Sequence, residues 1–552
     1  MYYYGQVVTR TMNIKLARAI RVLIVDDQIL AKGYLKYTME ELGFQQISYI
    51  DKADEALRLI REETFELVVC AYDLREEKEG YFLYEQLKAH KILPLTTAFV
   101  FISSDTTAEI VHSIVELQPD EFLAKPFSVK ELDKRLSRVL VRKQALKDVY
   151  ALMDKGDFEG ALDELERFLT EPNNAEFFPL ALRTKGELLL LCEHFEEAAD
   201  FYQAIINVQD FTWAKLGLVR CYLQLDKDDE AEKLILRLAF QPDAMLSAYD
   251  LLAALQIKQQ EFDDALESVT LASSISPRNV HRHKQAVDLS KITHDFPAQF
   301  DAARRVVKYA KHSIHDKPEN YLNVARAGID FAMTADAAET GKLVRQTQDF
   351  IRQMKEAFPK AEVDSELKVI DARLYYLEDE TDKARMLLSQ LQNADMSHEN
   401  TEALMDRAKA FHEVGLQEHA LAILDEVERR CVTDENQSAL FMHYLKQQQQ
   451  EKREIAESPK ALNNTAVNYF REGDVANALI AFRQAFTVMP KNPAIALNLL
   501  QTTASEIRDN PARQTEDNKK IIFNCMKTLE SATLTDEQER RYHRVKSSLS
   551  GL

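Results

Sequence analysis

Glycine is scarce in this chain, 13 in 552 residues, and none sits in a phosphate-cradling loop, a dinucleotide fingerprint or a nucleophile elbow. That excludes the common nucleotide-binding and hydrolase designs. Cysteine is sparse too: Cys70, Cys192, Cys221, Cys431 and Cys525 are scattered without a CxxC pair, which favours reduced thiols over a zinc site or a disulfide framework. No apolar run approaches the roughly 20 residues of a membrane span. The longest in the C-terminal region, Leu188 to Cys192, reads as a core stripe, and the opening MYYYGQVVTR lacks the basic start and apolar core of a secretory signal. Positive charge is in deficit: a net charge of -20 without a basic cluster speaks against a nucleic-acid partner.

What is present is apolar content of 46%, ample for buried cores over a length of three or four domain-sized units. Five short apolar runs come first, at Val22 to Val25, Ile47 to Ile50, Leu67 to Cys70, Ala98 to Ile102 and Phe122 to Ala124. Stretches of helical spacing such as Ala53 to Glu62 and Val111 to Leu117 lie between them. This alternation predicts an α/β fold, a five-stranded parallel sheet covered on both faces. Ligands gather at the carboxyl ends of such strands. The residues there are Asp26 and Asp27, Ala71, Ser103 and Lys125.

This set, with Phe122 three before the lysine and Pro126 after it, resembles the acid pocket of bacterial response-regulator receiver domains over roughly Arg21 to Arg142. In that family, the resemblance implies, paired acids hold magnesium and an aspartate ending the third strand takes a phosphoryl group from a histidine kinase. A hydroxyl residue and a lysine then grip the phosphoryl oxygens, the aromatic residue rotates on activation, and the proline follows a cis peptide. It also implies a bacterial cytoplasmic setting, and homodimers through the faces near Thr107 to Leu117 and Ser128 to Val141. The family's acceptor position reads Ala71 here, in VVC-Ala71-Tyr72-Asp73-Leu74.

A methyl group is no nucleophile, so ordinary phosphorylation is closed at Ala71. Asp73 is the alternative acceptor, but two extended residues displace its carboxylate by roughly 6 Å from in-line geometry. It is expected to pair with Lys125 or water. Mg²⁺ needs several oxygens, so the loss weakens Asp26 and Asp27 as metal ligands, and no cofactor is required. Those two acids are then left as partners for Lys125.

A capping box, Ser128 with Glu131, opens a last helix whose apolar face runs through Leu146, Val149 and Tyr150 without a breaker, predicting a helical connection onward. Beyond Arg142 an alanine opening each second helix recurs at Ala161, Ala198, Ala231 and Ala265, with steps of 37, 33 and 34 residues. Ala466, Tyr469, Gly473, Ala478, Phe482, Ala485 and Pro490 resemble a full tetratricopeptide (TPR) repeat, and Ala253, Ala265, Ala272 and Pro277 another. Gly186 and Ala198, Ala372 and Ala384, and Ala408 and Ala420 repeat the same 12-residue step. The predicted organisation is an extension at 1–20, a degenerate receiver at 21–141, TPR repeats at 142–277, degenerate helical repeats or an insertion at 278–366, TPR repeats at 367–490 and capping helices at 491–552, an all-α solenoid. Met12 would also start a complete receiver.

The resemblance to TPR proteins implies a concave groove that binds protein segments, near Asn463, Val467, Phe470 and Arg471 and, earlier, near Asp250, Ala254 and Lys258. Trp213 reads as hairpin packing. His281 with His283, and His312 with His315, lack convergent ligands and read as solvated. The run Gln447 to Gln450 reads as a polar helix surface or short linker. Two functions follow. The first is a non-catalytic two-component adaptor, a pseudo-receiver with a TPR array holding protein partners, possessing no enzymatic activity. The second is a phosphorelay switch using Asp73. A transcription factor is disfavoured, for want of a basic helix-turn-helix segment.

Overall fold

The computed structural model describes residues 11–74, 79–335, 337–392, 394–433, 438–510, 513–532 and 534–549. The start of the predicted N-terminal extension, with Met1, lies outside them; Met12 lies within. Two compact units divide the chain: Met1–Arg282 with Tyr309–Asp316, and His283–Lys308 with Lys317–Leu552. Among the described residues no helix is long and apolar enough to cross a membrane.

The first unit opens with α1 (Ile14–Ala19), then β1 (Arg21–Val25), α2 (Ile29–Glu41), β2 (Gln46–Ile50), α3 (Ala53–Glu62), β3 (Leu67–Ala71), α4 (Gly80–Ala89), β4 (Ala98–Ser103), α5 (Ala108–Leu117), β5 (Glu121–Ala124) and α6 (Val129–Ala145). The five strands are parallel, in the order β2-β1-β3-β4-β5. Each predicted apolar run became a strand because β1, β3 and β4 are walled on both faces. One core cluster holds Leu23, Val68, Phe99 and Phe101, the other Ile24, Val69, Val100 and Ile102. This is the receiver fold, followed by a long all-helical region.

The Ser128 hydroxyl accepts from Glu131 N (3.2 Å) and caps α6 as expected. The connection onward is helical, as expected, with a break at a single residue. Leu146 leaves helical geometry (φ -101°, ψ 19°) and a new helix begins at Lys147. The apolar face continues in sequence because Leu146 and Val149 turn away to join Ala161, Leu165 and Leu188 in the next core.

In the helical region one packing device recurs. Ala161, Ala198, Ala231, Ala265, Ala384, Ala420 and Ala478 each occupy the fourth position of a helix, and each is 0% exposed. A side chain larger than methyl would hold the paired helices apart. Gly186 and Gly217 mark two close approaches, because a Cβ at either would strike the Tyr202 ring. Trp213 packs edge-on to Tyr202 and stacks on Phe211, as a hairpin residue should. Helices Val280–Ile292, Phe296–Ala310, Pro318–Ala332 and Ala337–Ala357 carry the helical pattern through 278–366.

Within the first unit, segment 276–282 lies against the receiver. The Arg278 guanidinium sits over the rings of Tyr72 (5.6 Å) and Tyr81 (5.7 Å) and pairs with Glu79. Ser276 Oγ donates to Glu116 Oε2 (2.6 Å) at the end of α5, and Arg282 pairs with Glu116 (2.7 Å) and Asp250 (2.7 Å). Part of the α5 face considered for dimer contacts is thus occupied by the chain itself.

The second unit is organised around buried ions. Arg373, about 2% exposed, donates to Asp330 (2.8 Å), Asp406 (2.6 Å) and Glu413 (2.6 Å), drawing together helices Pro318–Ala332, Asp364–Leu377 and Thr401–Glu413. The glutamine run is part of helix Ala439–Glu454 and not a linker; Gln450 is exposed and Gln447 half-buried, but Gln448 and Gln449 are buried, so only half of the run is the polar surface expected. Helical spacing alone did not distinguish an inward polar stripe from an outward one. His283 is likewise 1% exposed rather than solvated.

Candidate functional site

Strand register assembles the pocket. Val25 pairs with Cys70, Ala71 with Ile102 and Ser103 with Ala124, so the residues that end or follow these strands, Asp26, Ala71, Ser103 and Lys125, emerge side by side. Asp26 is 1% exposed; its Oδ2 accepts from Lys125 Nζ (3.0 Å) and its Oδ1 from Gln28 N (2.9 Å). Lys125 N donates to Ser103 O (2.7 Å), and the following peptide, Lys125–Pro126, is cis. Asp27 is half-buried beside Asp26, and Phe122 packs against the aromatic core cluster.

Ala71 ends β3 as a buried residue. Gly80 approaches it so closely that a Cβ there would collide with Ala71 O and Cys70 Sγ, and Gly80 N donates to Tyr72 O (2.9 Å). Asp73 does not pair with Lys125, which is held by Asp26. Instead Asp73 Oδ2 accepts from Ser103 Oγ (3.2 Å), and Ser103 Oγ accepts from Asp105 N (3.0 Å). The cause lies in the backbone. Tyr72 N still donates to Ile102 O (2.9 Å), so the chain follows β4 one residue beyond Ala71 and delivers Asp73 beside Ser103. Burial drives the Tyr72 and Cys70 ionisations upward, leaving both neutral at ordinary pH. Among the described residues no three His, Cys, Asp or Glu side chains converge as a metal site.

The expected groove residues are partly spent on packing. Val467 and Phe470 lie against the core of their own hairpin, so helix Pro459–Arg471 offers a ligand mainly half-buried Asn463 and exposed Arg471. Earlier in the chain, Asp250 is engaged by Arg282 and Lys258 by Asp226 and Asp228 (2.5 and 2.8 Å), leaving Ala254 exposed. What sequence reading missed altogether is segment 276–282, whose Arg278 meets Tyr72 and Tyr81. No local pattern in the sequence signals a contact across some 200 residues.

Residues 22–137 match the model of the response regulator receiver domain. The chain is 26% identical over 126 residues to a probable chemotaxis protein CheY of Rhizobium etli, covering 22% of this chain and 95% of that protein. It is 30% identical over 183 residues to the transcriptional regulatory protein GltR of Pseudomonas aeruginosa, covering 32% and 72% respectively. It spans about half the length, 48%, of a probable transcriptional regulator ycf27 of Porphyridium aerugineum, at 32% identity over 22% of this chain. Among solved structures it is similar to a CheY-like receiver domain from Methanospirillum hungatei, at 26% identity, TM-score 0.21, 23% of this chain and 96% of that one.

Proposed function

Because the chain belongs to the response regulator receiver family through residues 22–137, we propose that it is a non-catalytic adaptor of two-component signalling, a pseudo-receiver joined to a TPR-like array that holds protein partners. The observation that carries this reading is Ala71 at the acceptor position, between an Asp26–Lys125 pair and an Asp73–Ser103 pair that already satisfy the groups meant for a phosphoryl. In such a pocket Lys125 and Ser103, the groups expected to grip a phosphoryl, are already occupied by carboxylates of the chain itself. Recognition then falls to surfaces, and the recurrent buried alanines support a stacked-hairpin array of the kind that presents one.

A second reading draws on one contact. Asp73 reaches Ser103, the hydroxyl expected to grip a phosphoryl group, so its carboxylate is closer to the pocket than chain length alone implies. Incubation of the full chain with Mg²⁺ and radiolabelled acetyl phosphate separates the two. The adaptor reading expects no acid-labile incorporation, with Ala71→Asp gaining it. Label that vanishes in Asp73→Asn supports the switch and overturns the adaptor.

A further inference from the structure

The second unit encloses a cavity lined by Lys291, Gln299, Asp330, Lys409, His412 and Lys452, among others. Most of its charges neutralise one another: Lys409 pairs with Asp330 (2.6 Å), Lys291 with Glu402 (2.8 Å), and Arg373 with its three carboxylates. Two buried polar groups are left short of partners. Lys452 is 8% exposed and forms no ion pair among the described residues; its ammonium meets only the neutral Gln448 Oε1 (3.1 Å), using one of three N–H donors. Gln299, 3% exposed, gives its amide N–H to Asp330 at 3.4 Å, while its Oε1 accepts nothing.

A buried ammonium that no carboxylate contacts directly costs stability, and so does a buried carbonyl without a donor. Burial, reinforced by the charge of nearby Lys409, pulls Lys452 down to about 8, against the opposing pull of Glu451. One ligand chemistry answers both groups at once. We propose that this cavity binds a small carboxylate carrying a second donor, a hydroxy acid or an amino acid, with the carboxylate on Lys452 Nζ and the hydroxyl or ammonium on Gln299 Oε1. A hydrocarbon or a cation would leave Lys452 unanswered, and a bare carboxylate would leave Gln299 so. None of the lining residues belongs to the receiver pocket or to the groove positions named above.

Isothermal titration of the full chain with glycolate, glycine and acetate tests it. Glycolate or glycine is expected to bind saturably at millimolar concentration or below, with acetate roughly tenfold weaker, the factor carried by one buried hydrogen bond. Lys452→Met should abolish binding while raising the melting temperature, because a buried charge with no ion-pair partner has been removed. Gln299→Leu should erase the preference over acetate while retaining carboxylate binding. The proposal is overturned if none of the three probes gives saturable heat, if binding persists in Lys452→Met, or if Lys452→Met melts lower than the parent, which would make the lysine a structural partner. Should Lys452→Met not fold, Lys452→Gln is to be titrated instead, and unchanged affinity there sinks the proposal equally.

Discussion

Ser103 donates its hydroxyl hydrogen to Asp73 Oδ2 at 3.2 Å, and the same oxygen accepts from Asp105 N at 3.0 Å, so one hydroxyl ties together the loops that follow β3 and β4. Ser103 is 2% exposed, whereas Asp73 is open to solvent. Ser103→Ala should cost about 1 kcal/mol, because it removes the acceptor of the Asp105 backbone N–H and the tie between the two loops. Asp73→Ala should cost less, its carboxylate being hydrated in either state. Urea denaturation with an unchanged slope would rank the two, and equal losses would argue against the shared hydroxyl.

The Asp26–Lys125 pair is asymmetric, since Asp26 is buried and Lys125 reaches water. Lys125→Met abandons a buried carboxylate and should destabilise the receiver by about 3 kcal/mol, the lower end for a broken buried pair. Adding Asp26→Asn should recover part of that loss. A double variant as unstable as the sum of the two singles would mean that the residues do not interact.

Arg373 is a sterner case. Arg373→Met leaves Asp330, Asp406 and Glu413 facing one another inside the second unit, and a loss of about 3–5 kcal/mol is expected. Arg373→Lys keeps the charge but not the geometry that reaches three carboxylates, and should fall between the two. Thermal unfolding of the three proteins gives the order.

The buried alanines predict steric intolerance. Ala478→Leu should destabilise by about 1–3 kcal/mol through overpacking, and Ala478→Ser less, because serine adds one oxygen whose hydroxyl can donate to the carbonyl a turn earlier in its own helix. Loss of the helical signal at lower temperature for the leucine variant alone would be the supporting result.

His412 carries a pH dependence. Burial, helped by the charge of Lys452, holds its imidazole down to about 4, and its Nε2 meets Ile455 O (2.8 Å). The folded value lies below the unfolded value of roughly 6.5, so the unfolded chain takes up the proton first. Stability is therefore full above about 6.5 and falls as pH drops toward 4, by an amount on the order of 3 kcal/mol. Neighbouring carboxylates also weaken in acid, so the informative quantity is the difference from His412→Gln. Parallel stability curves for parent and variant across that window would refute the assignment.

The receiver was legible because a parallel sheet writes itself into sequence as separate apolar runs, and because Asp26, Ser103 and Lys125 each fall at a strand end fixed by register. The hairpin period was legible through its small residues, which only close helix crossings demand. Three things were not. The turn at Leu146 obeys no breaker, because a buried leucine suits either of two cores equally well. The inward glutamines share the spacing of an outward face. The partner of Asp73 depends on how far the β3 ladder runs past Ala71, which a single backbone hydrogen bond decides.

Arg278 covering Tyr72 and Tyr81 has a practical consequence for anyone dissecting this chain. A fragment cut after α6 would lose that cover and expose two aromatic ring faces beside the receiver pocket, along with the acidic groups of Glu79 and Glu116 that segment 276–282 neutralises. An isolated receiver of this kind would present a stickier, more acidic face than the intact chain does. Partners captured with it would report on the cut as much as on the protein.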